Sequence, residues 1–344
     1  MGYSDINISE LDTILYNDSM NKFHNGIYSG KIGISIYFFN MYRIHRSEIY
    51  FNYANDILES LINNISANTS ARFNDGLSGI SLGINYLHKN RFIKGNINEI
   101  TKELDNVIYK ELSSYEIGDI YNSKELLLLL YYLYKRIIDA NRNQLYIYNN
   151  LIINIVNVLY NSIDCSFFYE PNIFLIDEYN LGLFIYVVSK ILSLNIYNTK
   201  IFRLINKHEH IITSQIPILN SFKLIKTSCL LELNRYYKSK QWNMHFYLLF
   251  KQINIKDILE KEMLEKNIFF HNGLPILYLA TKNINMHIKN SISISSKLYE
   301  NMIKESHAWD LIITDNNYRY MHSGLFNGYP GSRLFLDLIS RNII

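Results

Sequence analysis

Cysteine is almost missing from this 344-residue chain, with only Cys165 and Cys229 present. Two thiols cannot build a disulfide framework or a multi-thiolate zinc site. Proline is scarce at four residues, so little interrupts regular structure. No long hydrophobic run occurs: the most apolar stretches, 126–133 and 181–188, fall well short of the roughly 20 residues needed to cross a bilayer, and they read as buried helices with no transmembrane segment. Charge of one sign is lacking too. The 34 basic and 31 acidic residues give a net +3 with no block of either sign, which excludes the electrostatic footprint of a nucleic-acid binder. The N-terminus lacks the charged-then-apolar pattern of a signal sequence, and a cytoplasmic protein is expected.

Apolar and aromatic side chains are plentiful. Hydrophobic residues make up 48% and aromatics 14% of the chain, enough for a large buried core. The excess of Ile, Asn, Lys and Tyr reads as the codon bias of an AT-rich genome, since branched and aromatic residues recur throughout and no segment has a disordered composition. There are only 14 glycines, and eleven lie in or beside a recurring segment. Gly324, Gly328 and Gly331 are spaced G-x-x-x-G-x-x-G ahead of the apolar residues Leu334 to Ile339, and Gly26, Gly30 and Gly33 repeat that spacing ahead of Ile34 to Phe39. A shortened copy has Gly76 and Gly79, a fourth keeps Gly273, and Leu181-Gly182-Leu183 is related. Glycines that mark a repeat imply a repeat architecture.

Between these segments the apolar residues follow a helical period. Ile57, Leu58, Leu61, Ile62 and Ile65 form one stripe, and Ile155, Val156, Leu159, Tyr160 and Ile163 another. The segments after the glycines are apolar all round, as in a helix enclosed by neighbours. Each unit therefore pairs an amphipathic outer helix with an inner one, and the class is all-α. Ser29, Asp75, Asn272 and Asn327 each precede a leading glycine and are candidate N-caps. Anchoring weaker copies on Asn122, Asn180 and Asn220 gives seven units led by Gly30, Gly76, Ser123, Tyr186, Lys223, Gly273 and Gly328. A single domain over 1–344 is expected.

Seven helix pairs with glycine entries resemble the lanthionine synthetase C-like family. The clearest points are the first, second and last glycine segments, Asn180-Leu181-Gly182-Leu183 against that family's N-x-G-L-A-H-G, and Phe269-Phe270-His271-Asn272-Gly273 against its C-H-G. The resemblance implies an α/α toroid of seven inner and seven outer helices. It also implies a role in ribosomal peptide biosynthesis, where family cyclases add a cysteine thiol to a dehydrated serine or threonine, using a zinc ion held by two Cys and one His to lower the thiol pKa.

The family's residues are largely replaced here. Its His in the fourth unit falls on Ile185, and a zinc Cys in the fifth falls on about Ser221. In the sixth, His271 and Asn272 stand in place of Cys and His, or a one-residue shift keeps His271 and puts Phe270 in place of Cys. No Cys-Cys-His triad survives, so zinc, the family's cofactor, is expected to be absent. Asp119 stands where the family keeps an acidic residue, either as a hydrogen-bonding or proton-transfer group or as a complement to the positive end of a helix.

The resemblance makes a non-catalytic or repurposed subunit the leading expectation, binding a precursor peptide or a partner dehydratase. Asp119 and His271 are the candidates for any surviving catalysis, and Asn272, Asn327 and Ser221 for substrate binding. Helix N-termini gathered at one face are expected to hold a peptide carboxylate or another anion. Two alternatives remain open: an active metal-independent cyclase around Asp119 and His271, and a carbohydrate-processing α/α-toroid enzyme, which needs two cavity acids where only Asp119 is well placed. Gly79-Ile80-Ser81-Leu82-Gly83 matches a nucleophile elbow, but no strand precedes it. His208-Glu209-His210 reads as a solvated linker, and both cysteines as small core residues.

Overall fold

The computed structural model describes the chain except residues 1, 2, 4–6, 67, 68, 115, 141, 172–175, 264–266, 289–291, 293 and 294. Its helices are α1 (Ile8–Lys22), α2 (Lys31–His45), α3 (Glu48–Asn63), α4 (Leu77–Lys89), α5 (Ile97–Ile100), α6 (Lys102–Leu112), α7 (Ile117–Ile120), α8 (Ser123–Ile137), α9 (Arg142–Ser162) and α10 (Asn180–Leu192). They continue with α11 (Asn198–Ser214), α12 (Asn220–Leu233), α13 (Lys240–Gln252), α14 (Ile255–Asp257), α15 (Leu274–His287), α16 (Ser296–Lys304), α17 (Ala308–Thr314), α18 (Asn316–Met321) and α19 (Tyr329–Ser340). No strand occurs among the described residues. The class is all-α.

The contacts divide into two compact units. One comprises residues 1–108, 265–276 and 294–344, and the other 109–264 and 277–293. In the first, α2 packs against α1, α3, α4 and α19, and α19 also packs against α16. Every residue of α2 from Lys31 to Met41 is buried, whereas α3 buries only Ala54, Ile57, Leu58 and Leu61. Ile62, placed by its period on the same stripe, is 56% exposed. The core therefore sits around an apolar helix with amphipathic helices laid against it.

In the second unit α8, α10 and α12 pack in succession, with α9 on α8, α11 on α10 and α13 on α12. Helices α8 and α10 are buried except for one stripe each. Here the structure corrects the sequence register: Tyr186, expected to lead the fourth unit, lies in the middle of α10, Lys223, expected to lead the fifth, lies within the first turn of α12, and Ile185 is a wholly buried helix residue. His208 is also buried, inside α11, where it continues the stripe of Ile201, Leu204, Ile205 and Ile212; it is no linker. Cys165 is exposed rather than in the core.

Candidate functional site

Four helix entries of the first unit are built the same way. The amide after each leading glycine donates to the carbonyl seven residues before it: Lys31 to His24 (2.8 Å), Leu77 to Ser70 (2.9 Å), Leu274 to Asn267 (2.8 Å) and Tyr329 to His322 (2.9 Å). That carbonyl takes the space a Cβ would need at Gly30, Gly76, Gly273 and Gly328. Glycine is thus required by close backbone approach. It is not required by a left-handed angle, since φ is −114° at Gly30 and Gly76 and −144° at Gly328.

The caps differ from the expectation as well. Gly30, Gly76 and Gly328 are themselves the N-caps of α2, α4 and α19, with no side-chain cap bond, so Ser29, Asp75 and Asn327 do not cap. A backbone carbonyl reaches the first amide before a preceding side chain can. These N-termini are therefore partly satisfied internally rather than open to an anion.

Backbone bonds tie the four turns into a row. Tyr28 donates to Asn74 O (3.1 Å), Phe326 to Tyr28 O (3.2 Å) and His271 to Phe326 O (3.1 Å). The Tyr28 and Phe326 rings stack at 6.1 Å, His271 meets Tyr28 edge-on at 6.1 Å, and Phe269 stacks on His322 at 4.4 Å. Three imidazoles lie along this row. His24 accepts from Gly26 N at Nδ1 (3.0 Å), which leaves Nε2 to donate to Ser29 Oγ (3.0 Å), and burial lowers its pKa against the opposing pull of Asp75. His322 Nδ1 lies 3.1 Å from Asn327 O, and His271 Nδ1 lies 3.3 Å from Phe326 O. Nearby, α1 and α18 enclose a cleft of about 390 Å³ lined by Asp18, Lys22, Arg319 and Tyr320, in which Lys22 pairs with Asp18 at 2.7 Å.

Each anticipated site residue can be placed. His271, Asn272 and Asn327 belong to the row; Asn272 is buried and its side-chain oxygen accepts from Asn267 Nδ2 at 2.6 Å. Asp119 is exposed on the single-turn helix α7 of the second unit. Ser221, also in the second unit, is fully buried in the first turn of α12, and its Oγ has no hydrogen-bond partner among the described residues. Its amide donates to Glu262 Oε2 (2.8 Å), and Asn220 N to Glu262 Oε1 (2.6 Å). Glu170 takes Ile218 N at 3.0 Å. Two carboxylates thus satisfy this entry, so an incoming anion would have to displace them. Sequence reasoning missed Glu170 and Glu262, and their distance along the chain left no local signal.

The family's zinc chemistry can be tested against these donors. At the positions that the resemblance matches to the family's His and Cys, Ile185 has no donor atom and Ser221 offers a buried hydroxyl rather than a thiolate. Cys229 lies later in α12, its thiol pushed up to about 12 by burial, with Glu232 adding to the shift. Among the described residues no three His, Cys, Asp or Glu side chains converge. The residues present do not fit a Cys-Cys-His site.

The model of the family described as lanthionine synthetase C-like protein matches residues 22–224. A solved structure titled nisin cyclase shares the fold with a TM-score of 0.62 at 13% identity, over 97% of this chain and 94% of that chain. That likeness gives the chain the α/α toroid fold implied by its repeats. No curated protein matches the chain. No helix among the described residues is long and apolar enough to cross a membrane. With its model covering more than half of the sequence, the chain belongs to the lanthionine synthetase C-like family.

Proposed function

We propose that this chain serves ribosomal peptide biosynthesis by binding a precursor peptide, or the complex of that peptide with its dehydratase, without closing thioether rings by zinc chemistry. The observation that carries the reading is the replacement of the family's donors by a buried hydroxyl at Ser221 and an aliphatic side chain at Ile185, with no three His, Cys, Asp or Glu side chains converging among the described residues. The fold is retained while the thiolate chemistry is not. What remains at the glycine turns of the first unit suits a peptide: Tyr28 and Phe326 rings for side chains, His24 and His271 for polar contacts, and Asn327 beside them.

Proposed roles for the anticipated residues follow from these positions. His271 and Asn327 contact peptide directly, while Asn272 acts by holding Asn267 and thereby the shape of the sixth turn. Asp119 is a solvated acid that meets a basic side chain of the peptide or a partner, and Ser221 contributes only once Glu262 moves away. We take the whole chain to act as one functional domain in the cytoplasm. Isothermal titration with a dehydrated, cysteine-containing precursor tests the reading. Binding weakened about tenfold by Phe326→Ala is expected; absence of binding by the parent chain contradicts it.

A further inference from the structure

Helices α8 and α10 keep one solvent-reaching stripe each, and the two stripes have the same sequence. Leu128, Tyr131 and Lys135 on α8 correspond to Leu183, Tyr186 and Lys190 on α10. The Tyr131 and Tyr186 side chains hydrogen-bond to each other, and their rings lie 6.0 Å apart. Lys135 sits over the Tyr131 and Tyr134 rings at 5.3 and 5.7 Å, and Lys190 over Tyr186 at 5.0 Å. From there the stripe continues onto α12, where Lys190 pairs with Glu232 at 3.2 Å and Arg235 meets the same carboxylate at 3.3 Å.

The positive ends of lysines suit the last turn of a helix, where carbonyls are unpaired. That effect does not explain a tyrosine beneath each lysine in matching register on successive helices, Tyr131 on α8 and Tyr186 on α10. We propose that this tyrosine–lysine stripe binds an extended acidic segment of a peptide. Lys190 and Arg235 share the one Glu232 carboxylate while Lys135 stands over tyrosine rings, so the named residues of the stripe carry more positive than negative charge. The aromatic faces and hydroxyls, with Leu128 and Leu183 at one end, suit a ligand with side chains and amides rather than a bare ion. Packed helices lie about 8–10 Å apart, so the stripe from α8 to α12 spans roughly 20 Å. An extended chain of about six residues covers that length. The inference rests on the peptide-binding reading only for the class of ligand, and it lies on a different part of the fold from the glycine turns.

Fluorescence anisotropy on the whole chain provides the test, using labelled hexapeptides that alternate Tyr with Glu, Gln or Lys. The Glu peptide is expected to bind at least tenfold tighter than the Gln peptide and to lose that advantage in Lys135→Glu and in Tyr186→Leu, each verified as folded by its melting curve. Ile62→Ser, at an exposed position of α3 outside both surfaces, leaves it unchanged. Equal binding of the Glu and Gln peptides, competition by inorganic phosphate at matched charge, or the same loss in Ile62→Ser each overturns the proposal. If a precursor still binds the parent while the Glu peptide does not, the stripe fails and the glycine-turn reading stands. If the Glu peptide binds while no precursor does, the opposite holds.

Discussion

The two units bury charge in different ways. In the first, Asp12 of α1 meets Arg333 of α19 in a buried ion pair, and both partners are surrounded: Tyr37 and Tyr50 each donate to Asp12 at 2.8 Å, and Arg333 donates to Tyr37 at 2.7 Å and Tyr50 at 3.1 Å. In the second, Lys226 is fully buried, has no ion-pair partner among the described residues, and donates to the carbonyls of Ile212 and Gln215 at 2.7 Å each. Burial pushes its pKa down to about 7, with Glu170 opposing. His208 and His245 are buried there as well, lowered to about 4 and about 3 mainly by burial. A low-dielectric interior tolerates a charge that is paired and hydrogen-bonded, and otherwise favours the neutral form. The first unit is stitched by a satisfied ion pair, while in the second burial holds His208 and His245 neutral and brings Lys226 close to neutrality.

The largest test of this difference is Asp12→Ala, which leaves the Arg333 guanidinium buried without its carboxylate. A loss of about 3–5 kcal/mol is expected in urea unfolding. Replacing both partners with apolar residues of similar volume, Asp12→Leu with Arg333→Met, restores much of it. Equal losses from the single and the double variant would show that the cluster acts through packing alone.

Helix entries give the next contrast. Gly30→Ala and Gly328→Ala each place a Cβ against the carbonyl of His24 or His322, and a cost of about 1–3 kcal/mol is expected. In the second unit α8 starts differently, with a capping box in which Asn122 accepts from Glu125 N at 2.9 Å and the Glu125 side chain reaches back to Asn122 N. Asn122→Ala is expected to cost about 1 kcal/mol. Asp75→Ala, at a position that makes no cap bond, stays within about 0.5 kcal/mol. A large effect at Asp75 combined with none at Gly30 would reverse the account of the glycine turns.

The smallest effect is local and depends on pH. The histidines of the unfolded chain protonate near 6.5, whereas His208 and His245 of the second unit stay neutral to about 4 and about 3. Below about 6.5 the unfolded chain binds more protons, so stability falls as pH falls. For Lys226 the window lies between about 7 and the unfolded value near 10.4, and stability rises with pH across it. Hydrogen exchange corrected for intrinsic rates is expected to show severalfold weaker protection of α11 and α13 at pH 5 than at pH 7, with α2 and α19 changing less. Equal changes in both units would remove the contrast.

These differences also explain what the sequence disclosed. The first, second, sixth and seventh entries were legible because a backbone carbonyl excludes every side chain at Gly30, Gly76, Gly273 and Gly328, and that requirement is written in one residue type. The fourth and fifth were misregistered because α10 and α12 begin without such a glycine. The entry of α12 is completed by Glu170 and Glu262, from distant segments. Asp12 and Arg333 come from opposite ends of the chain and carry no local signature. Of the anticipated site, the row around His271 and Asn327 could be read from spacing, while the burial of Ser221 and the exposure of Asp119 depend on tertiary packing.

The central claim is that this chain keeps the fold of a cyclase family without its thiolate chemistry. Counting free thiols tests it most directly: a dehydrated, cysteine-containing precursor is incubated with the chain, with and without added zinc, and titrated over time. The account predicts binding of the precursor with thiol loss no faster than in the protein-free control. Loss of one thiol per ring well above that control, abolished by His271→Ala or Asp119→Asn, would contradict it.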